Sequence, residues 1–279
     1  MNLNVIHTGN FKLDGGAMFG VVPKSIWNKL NPADENNMCT WAMRCLLIED
    51  KNKLILIDTG IGDKQSEKFF SYYYLHGDQS LQQSIQDTGF SADLITDVFF
   101  THLHFDHCGG AVQYTNNNEF EVVFKNAKHW TNEDHWNWAA HPNAREKASF
   151  LKENLWPIHE NNCLHFIGKS NPFSNLFDII YVNGHTEKQM LPKLRYKDKT
   201  IVFVADLLPS VGHIPIPFVM SYDTRPLLTL AEKKAFLDEA VENEYILFFE
   251  HDPEVECATV QMTDKGVRVK ETFSLKDIL

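Results

Sequence analysis

The chain reads as a layered α/β protein, a mixed sheet covered by helices, and three observations carry that reading. Short β-branched and aromatic runs recur as buried strands, amphipathic segments fall between them, and several strands end in a turn holding His, Asp or Gly. Its 279 residues, 43% of them apolar and 12% aromatic, suffice for a sizeable core. One domain is expected over 1–279, since no Pro/Gly/Ser-rich linker, low-complexity tract or evident repeat divides the chain.

Charge and cysteine usage narrow the classes. The formal charge is −11 with no basic run, which argues against a nucleic-acid partner, because phosphate contact demands clustered Lys and Arg. The first residues lack a basic stretch followed by a long apolar core, and no apolar window reaches the length of a membrane span, so a cytoplasmic chain with no membrane partner is expected. Five cysteines, odd in number and without a C-x-x-C pair, suit free thiols in a reducing compartment.

Taken in order, residues 11–41 mix Gly15, Gly16, Gly20, Pro23 and Pro32 with Met18, Phe19, Val21, Val22, Ile26 and Trp27, and read as irregular turns. Two readings stay open there: a flap that walls a pocket or contacts a second copy in a homodimer, and a hydrophobic edge covered by the domain. Residues 42–48 and 53–57 are strands joined by the turn 49–52, and Asp58-Thr59-Gly60 ends the second. Two helices follow within 64–89, the first holding Phe69, Phe70, Tyr73 and Tyr74, the second running from Ser80 to a stop at Gly89.

The strand at 96–100 leads into Thr101-His102-Leu103-His104-Phe105-Asp106-His107-Cys108-Gly109-Gly110. Three histidines and a carboxylate within six residues are ligand chemistry for zinc or another borderline first-row ion, and the absence of Cys ligands argues against a closed structural zinc site. Cys108 reads as packing beneath the loop. Residues 128–169 hold Trp130, Trp136, Trp138 and Trp156 and read as a cap of two short helices, one opening near Thr131 and one spanning 144–155. Its aromatics either line an apolar substrate pocket, with Trp136 and Trp138 as candidate contacts, or simply pack. His129, His135, His141, His159 and His165 lack the clustered spacing and read as surface or core residues. Three more strands, at 177–182, 200–205 and 245–249, deliver His185, Asp206 and His251 at their exits.

His102-x-His104-x-Asp106-His107 resembles the signature of the metallo-β-lactamase superfamily, and the resemblance runs through Asp58-Thr59-Gly60, Gly184-His185-Thr186, Asp206 and His251. It implies a four-layer αββα sandwich of two mixed sheets flanked by helices, and a binuclear zinc centre, with Mn, Co or Fe as substitutes. His102, His104 and His185 would hold one ion, Asp106, His107 and His251 the other, and Asp206 both, while Asp58 supports the loop from outside. Seven ligands are too many for one tetrahedral zinc and suit two. A hydroxide held between ions about 3.5–4 Å apart would then be the nucleophile, with Asp106 as proton shuttle.

The resemblance also ranks substrates. Asp206 stands where true β-lactamases mostly carry Cys, which points to the lactonase, glyoxalase and phosphotriesterase branches, and the chain most resembles the lactonase and methyl parathion hydrolase branch. A small neutral ester, first a lactone such as an N-acyl homoserine lactone, is the expected substrate. The alternatives are a phosphotriesterase or phosphodiesterase, and a non-catalytic metal-containing ligand-binding or sensory protein. Two departures stand out: Glu187-Lys188 replaces the usual Pro-Gly after the histidine, and Pro209 stands where family lactonases carry a tyrosine. His213 and Tyr222 are the candidates for the missing hydrogen bond.

Overall fold

Leu54, Ile55, Leu56 and Ile57 are all buried, the composition of a strand covered on both faces, and such strands favour parallel neighbours. A computed structural model describes residues 1–117, 119–168, 173 and 175–279. The chain resolves into two compact units, residues 1–9 with 43–175 and residues 10–42 with 176–279.

The first unit is built on a sheet in the order Asn2–Asp14, Met38–Asp50, Lys53–Ile57, Asp97–Phe99, Lys128–Asn132, Leu164–Ile167. Met38–Asp50 and Lys53–Ile57 form the expected antiparallel hairpin, with Asp50 opposite Lys53. From Lys53–Ile57 onward the pairs are parallel, aligning Ile57 with Phe99, Phe99 with Trp130 and Asn132 with Ile167. Carboxyl ends of parallel strands therefore share one edge, the place where ligand-binding loops collect in such sheets. Helix Leu81–Asp87 starts where its Ser80 cap accepts the Gln83 N–H.

Several expectations are corrected here. The segment 128–169 is less a helical cap than a crossover: Lys128–Asn132 and Leu164–Ile167 are strands, and helices Glu133–Ala140 and Lys152–Glu160 join them. Lys169 lies outside the described residues. No helix spans 144–155: the Asn143 side chain accepts the N–H of Arg145 (2.9 Å) and Glu146 (3.1 Å) at the head of a turn, and the helix starts only at Lys152. The helix expected around Phe69 to Tyr74 is the single turn Glu67–Phe70.

The second unit carries a sheet in the order Gly266–Phe273, Cys257–Thr263, Ile246–Phe248, Lys199–Phe203, Gln189–Tyr196, Phe177–Val182. Only Lys199–Phe203 and Ile246–Phe248 run parallel, with Phe203 opposite Phe248. Helix Pro226–Glu242 lies on Cys257–Thr263 and Gly266–Phe273 through a stripe that includes Phe236, Leu237 and Ala240. Residues 11–41 are more ordered than the sequence suggested. The first strand continues to Asp14, whose carboxylate accepts the Ala17 N–H (2.8 Å) to start helix Gly15–Phe19, and helix Lys24–Trp27 follows. Met18, Phe19, Val22 and Trp27 are buried in this unit, while Val21 is 94% exposed.

Candidate metal centre

In the first unit the chain leaves the parallel strands and folds back on itself, and Asp58 organises the return. Its backbone holds φ 57°, a strained left-handed value for a non-glycine residue, directly after the strand Lys53–Ile57. The buried carboxylate accepts the Thr101 N–H (2.8 Å) and hydroxyl (2.6 Å), and His107 Nδ1 donates to it at 3.1 Å. With Nδ1 so held, Nε2 is the ligand atom of His107. Thr59 donates both N–H and hydroxyl to the His107 carbonyl (2.7 and 3.0 Å).

The glycines after the motif serve close approach rather than unusual backbone angles. A Cβ on Gly109 would lie 2.1 Å from the Ile61 carbonyl oxygen, and one on Gly110 the same distance from that of Thr59. The buried Lys64 ammonium also donates to the Gly109 carbonyl, and burial pulls its pKa down to about 8.

Within this loop His102 Nε2 lies 3.1 Å from His104 Nδ1, and the His102 and His107 rings are 3.9 Å apart. Two partners escaped the sequence reading. His135, expected as a surface or core residue, accepts the Leu103 N–H at 2.8 Å, and Glu146 places Oε1 3.6 Å from His104 Nε2. Trp138 donates its indole N–H to Glu146 (2.7 Å), so the structure joins it to the loop through that carboxylate. Trp136 is buried in the core of the unit, stacked on His159 and edge-on to Trp156. Cys108 is buried, its thiol pushed up to about 12 by desolvation, and packs as expected. Beside the motif, Phe69, Tyr73 and Phe105 form an aromatic group with centroids 4.8–5.3 Å apart. Burial, then the Asp106 charge, lifts the Tyr73 phenol to about 12.

In the second unit Asp206 follows Ala205, another non-glycine residue at positive φ (39°). One carboxylate oxygen lies 3.0 Å from His185 Nε2 and the other 3.0 Å from His251 Nε2. The opposite nitrogens are anchored: His185 Nδ1 donates to Asp223 (2.9 Å) and His251 Nδ1 to the Ala42 carbonyl (2.8 Å). Burial by itself would lower the pKa of His185, but Asp206 and then Asp223 outweigh it and raise it to about 10. Asp223 has no motif around it in the sequence that marks this role. His213 is buried against Phe19, accepting from the Ser210 hydroxyl and donating to the Met18 carbonyl (both 2.9 Å), and desolvation drives it down to about 3. Tyr222, on the same loop, is 40% exposed.

These donors fit a divalent ion. Each unit presents buried imidazole nitrogen and carboxylate oxygen, the ring orientation is set by carboxylate or carbonyl acceptors, and neighbouring donor atoms stand about as far apart as ligands of one zinc, roughly 3.4 Å. The field that favours a proton on His185 favours a metal cation at its Nε2.

A profile of the metallo-β-lactamase superfamily matches residues 44–251. The chain belongs to that superfamily. Its α/β fold of mixed sheets and helices is the superfamily's. Among solved structures, a probable metal-dependent hydrolase from Staphylococcus aureus superposes with a TM-score of 0.88 at 26% identity, covering 98% of this chain and 96% of that one. AidC, a dizinc quorum-quenching lactonase in complex with its product, superposes at 0.78 with 24% identity over 98% and 95%. The N-acyl homoserine lactonase of Bacillus thuringiensis is 28% identical over 102 residues, 33% of this chain and 40% of the lactonase, so the match spans well under two thirds of that relative. No helix among the described residues is long and apolar enough to cross a membrane.

Proposed function

We propose that this chain is a binuclear zinc hydrolase that opens a neutral ester-like substrate, first a lactone such as an N-acyl homoserine lactone. His102, His104 and His185 would hold one ion and Asp106, His107 and His251 the other, with Asp206 serving both. The observation that carries the reading is the splayed Asp206 carboxylate, one oxygen directed to each of two histidines, because a carboxylate can serve two cations where an imidazole cannot. Ions bound there would supply Lewis acidity and lower the pKa of water towards neutrality.

The chain's own residues would do the rest. Asp58 and Asp223 keep His107 and His185 in the tautomer that offers Nε2. Asp106, on the short helix Phe105–Cys108, is the proton carrier between nucleophile and leaving alkoxide. The group Phe69, Tyr73 and Phe105, next to Asp106 in sequence and space, offers an apolar wall for an acyl substituent. Since both ring nitrogens of His213 are engaged, Tyr222 is the residue proposed to hydrogen-bond the substrate.

The test is elemental analysis of metal alongside hydrolysis of a lactone panel and a neutral aryl phosphotriester, with Asp206→Ala as control. Near two zincs and lactone turnover lost in the control are expected. Phosphotriester turnover without lactone turnover moves the substrate to the alternative branch, and a metal-loaded chain inert on both overturns the proposed substrate class.

A further inference from the structure

Helix Pro226–Glu242 carries a lysine on its buried face. Lys233 is 1% exposed, and its ammonium donates to the carbonyls of Pro215 (2.8 Å), Ile216 (3.3 Å) and Phe218 (2.8 Å). Three acceptors match the three N–H bonds of an ammonium, so the group is fully satisfied away from water. A charge buried this deeply costs stability relative to an apolar side chain, which raises the question of what it holds in place.

The loop gripped by Lys233 runs on to Asp223, five residues after Phe218. Asp223 is itself buried and accepts from His185 Nδ1 at 2.9 Å. The same helix reaches the other side of that pair. Glu232 accepts the N–H of Asn183 (2.8 Å) and of Gly184 (2.9 Å), immediately before His185, and Thr229 packs so closely that a Cβ on Gly184 would meet its hydroxyl at 2.2 Å. Positions 229, 232 and 233 share one helical face. One rigid surface thus sets the backbone that carries the histidine and the backbone that carries its carboxylate.

We propose that Lys233 is a positioning residue for the metal centre: by fixing the chain at 215–218 it sets where Asp223 stands, and through Asp223 the tautomer and orientation of His185. The inference rests on the reading of His185 as a metal ligand, and it extends that reading to a residue with no contact to the ion. Outer partners of ligating histidines affect metal affinity by about 10- to 100-fold, and a residue that places such a partner should act through it.

The experiment compares wild type with Asp223→Asn, Lys233→Met and the double variant, reading zinc affinity by competition with a chromophoric chelator. A second reading is the low-field proton resonance of His185 Nδ1–H in the metal-free protein, assigned by its loss in His185→Gln. Asp223→Asn and Lys233→Met should each weaken zinc binding by roughly tenfold or more, the double variant should lose no more than Asp223→Asn alone, and the resonance should shift in Lys233→Met. If Lys233→Met lowers the melting temperature but leaves affinity and resonance as in wild type, or if the two losses multiply, the proposal is overturned. Should Lys233→Met fail to fold, Lys233→Gln takes its place, since its shorter side chain with two N–H bonds cannot hold all three carbonyls, and an unchanged resonance in it overturns the proposal equally. The resonance is read without metal, so failure of the zinc reading would show separately, as unaltered zinc binding in His185→Gln.

Discussion

Asp58 joins three functions in one side chain: it ends a strand at a strained φ, caps the Thr101 backbone and orients His107. Asp58→Asn replaces an acceptor by a donor facing Thr101 N–H or His107 Nδ1. We expect zinc affinity to fall by about 10- to 100-fold, checked by chelator competition, because the outer carboxylate sets the ligand's orientation. His213 makes a different prediction. Its folded pKa of about 3 lies below the ordinary 6.5, so the folded state binds fewer protons than the unfolded chain. The stability this histidine contributes is complete above pH 6.5 and is lost as pH falls from 6.5 towards 3. His213→Asn should therefore cost about 2 kcal/mol at pH 8, through lost packing and bonds, and clearly less at pH 4.5, measured by urea unfolding at both pH values.

At the scale of elements, legibility followed local chemistry. Helix Leu81–Asp87 was readable from its Ser80 cap and Gly89 stop, and the hairpin from its apolar strands about a polar turn. Helix Pro226–Glu242 was not, because Thr229 and Lys233 lie on its buried face and break the apolar stripe that periodicity seeks. Gly109 and Gly110 serve contact: segment 59–64 lies against 107–110 backbone to backbone. Gly110→Ala would force a Cβ to 2.1 Å from the Thr59 carbonyl, and backbone cannot yield as a flexible side chain can. We expect a loss of about 3 kcal/mol or more, as for severe overpacking, whereas Gly89→Ala, with nothing within 4 Å of its Cβ but φ +88°, should cost only about 1 kcal/mol. Thermal unfolding of the two variants checks the order; equal losses would mean that strain in φ, rather than crowding, governs both.

For the whole molecule, what was legible was the set of strand exits: His102 to His107, His185, Asp206 and His251 each follow a short apolar strand, and local composition marks such strands well. What was not legible were the partners that hold these residues, His135, Glu146 and Asp223, since a single His or carboxylate far along the chain carries no spacing to betray it. The last prediction follows from the proposed set of ligands. An ion that binds only the folded chain stabilises it by RT ln(1 + [L]/Kd), about 2.7 kcal/mol at a hundredfold excess over Kd. Removing metal with a chelator should therefore lower the melting temperature by several degrees and restoring zinc should recover it. Asp206→Ala should abolish the recovery, because its oxygens approach both His185 and His251 and both ions depend on it. His251→Ala should instead keep about half of the bound zinc, because the proposed first ion does not use His251. Equal metal loss in the two variants would mean that the ions bind only as a pair, and full retention in Asp206→Ala would remove that carboxylate from the centre.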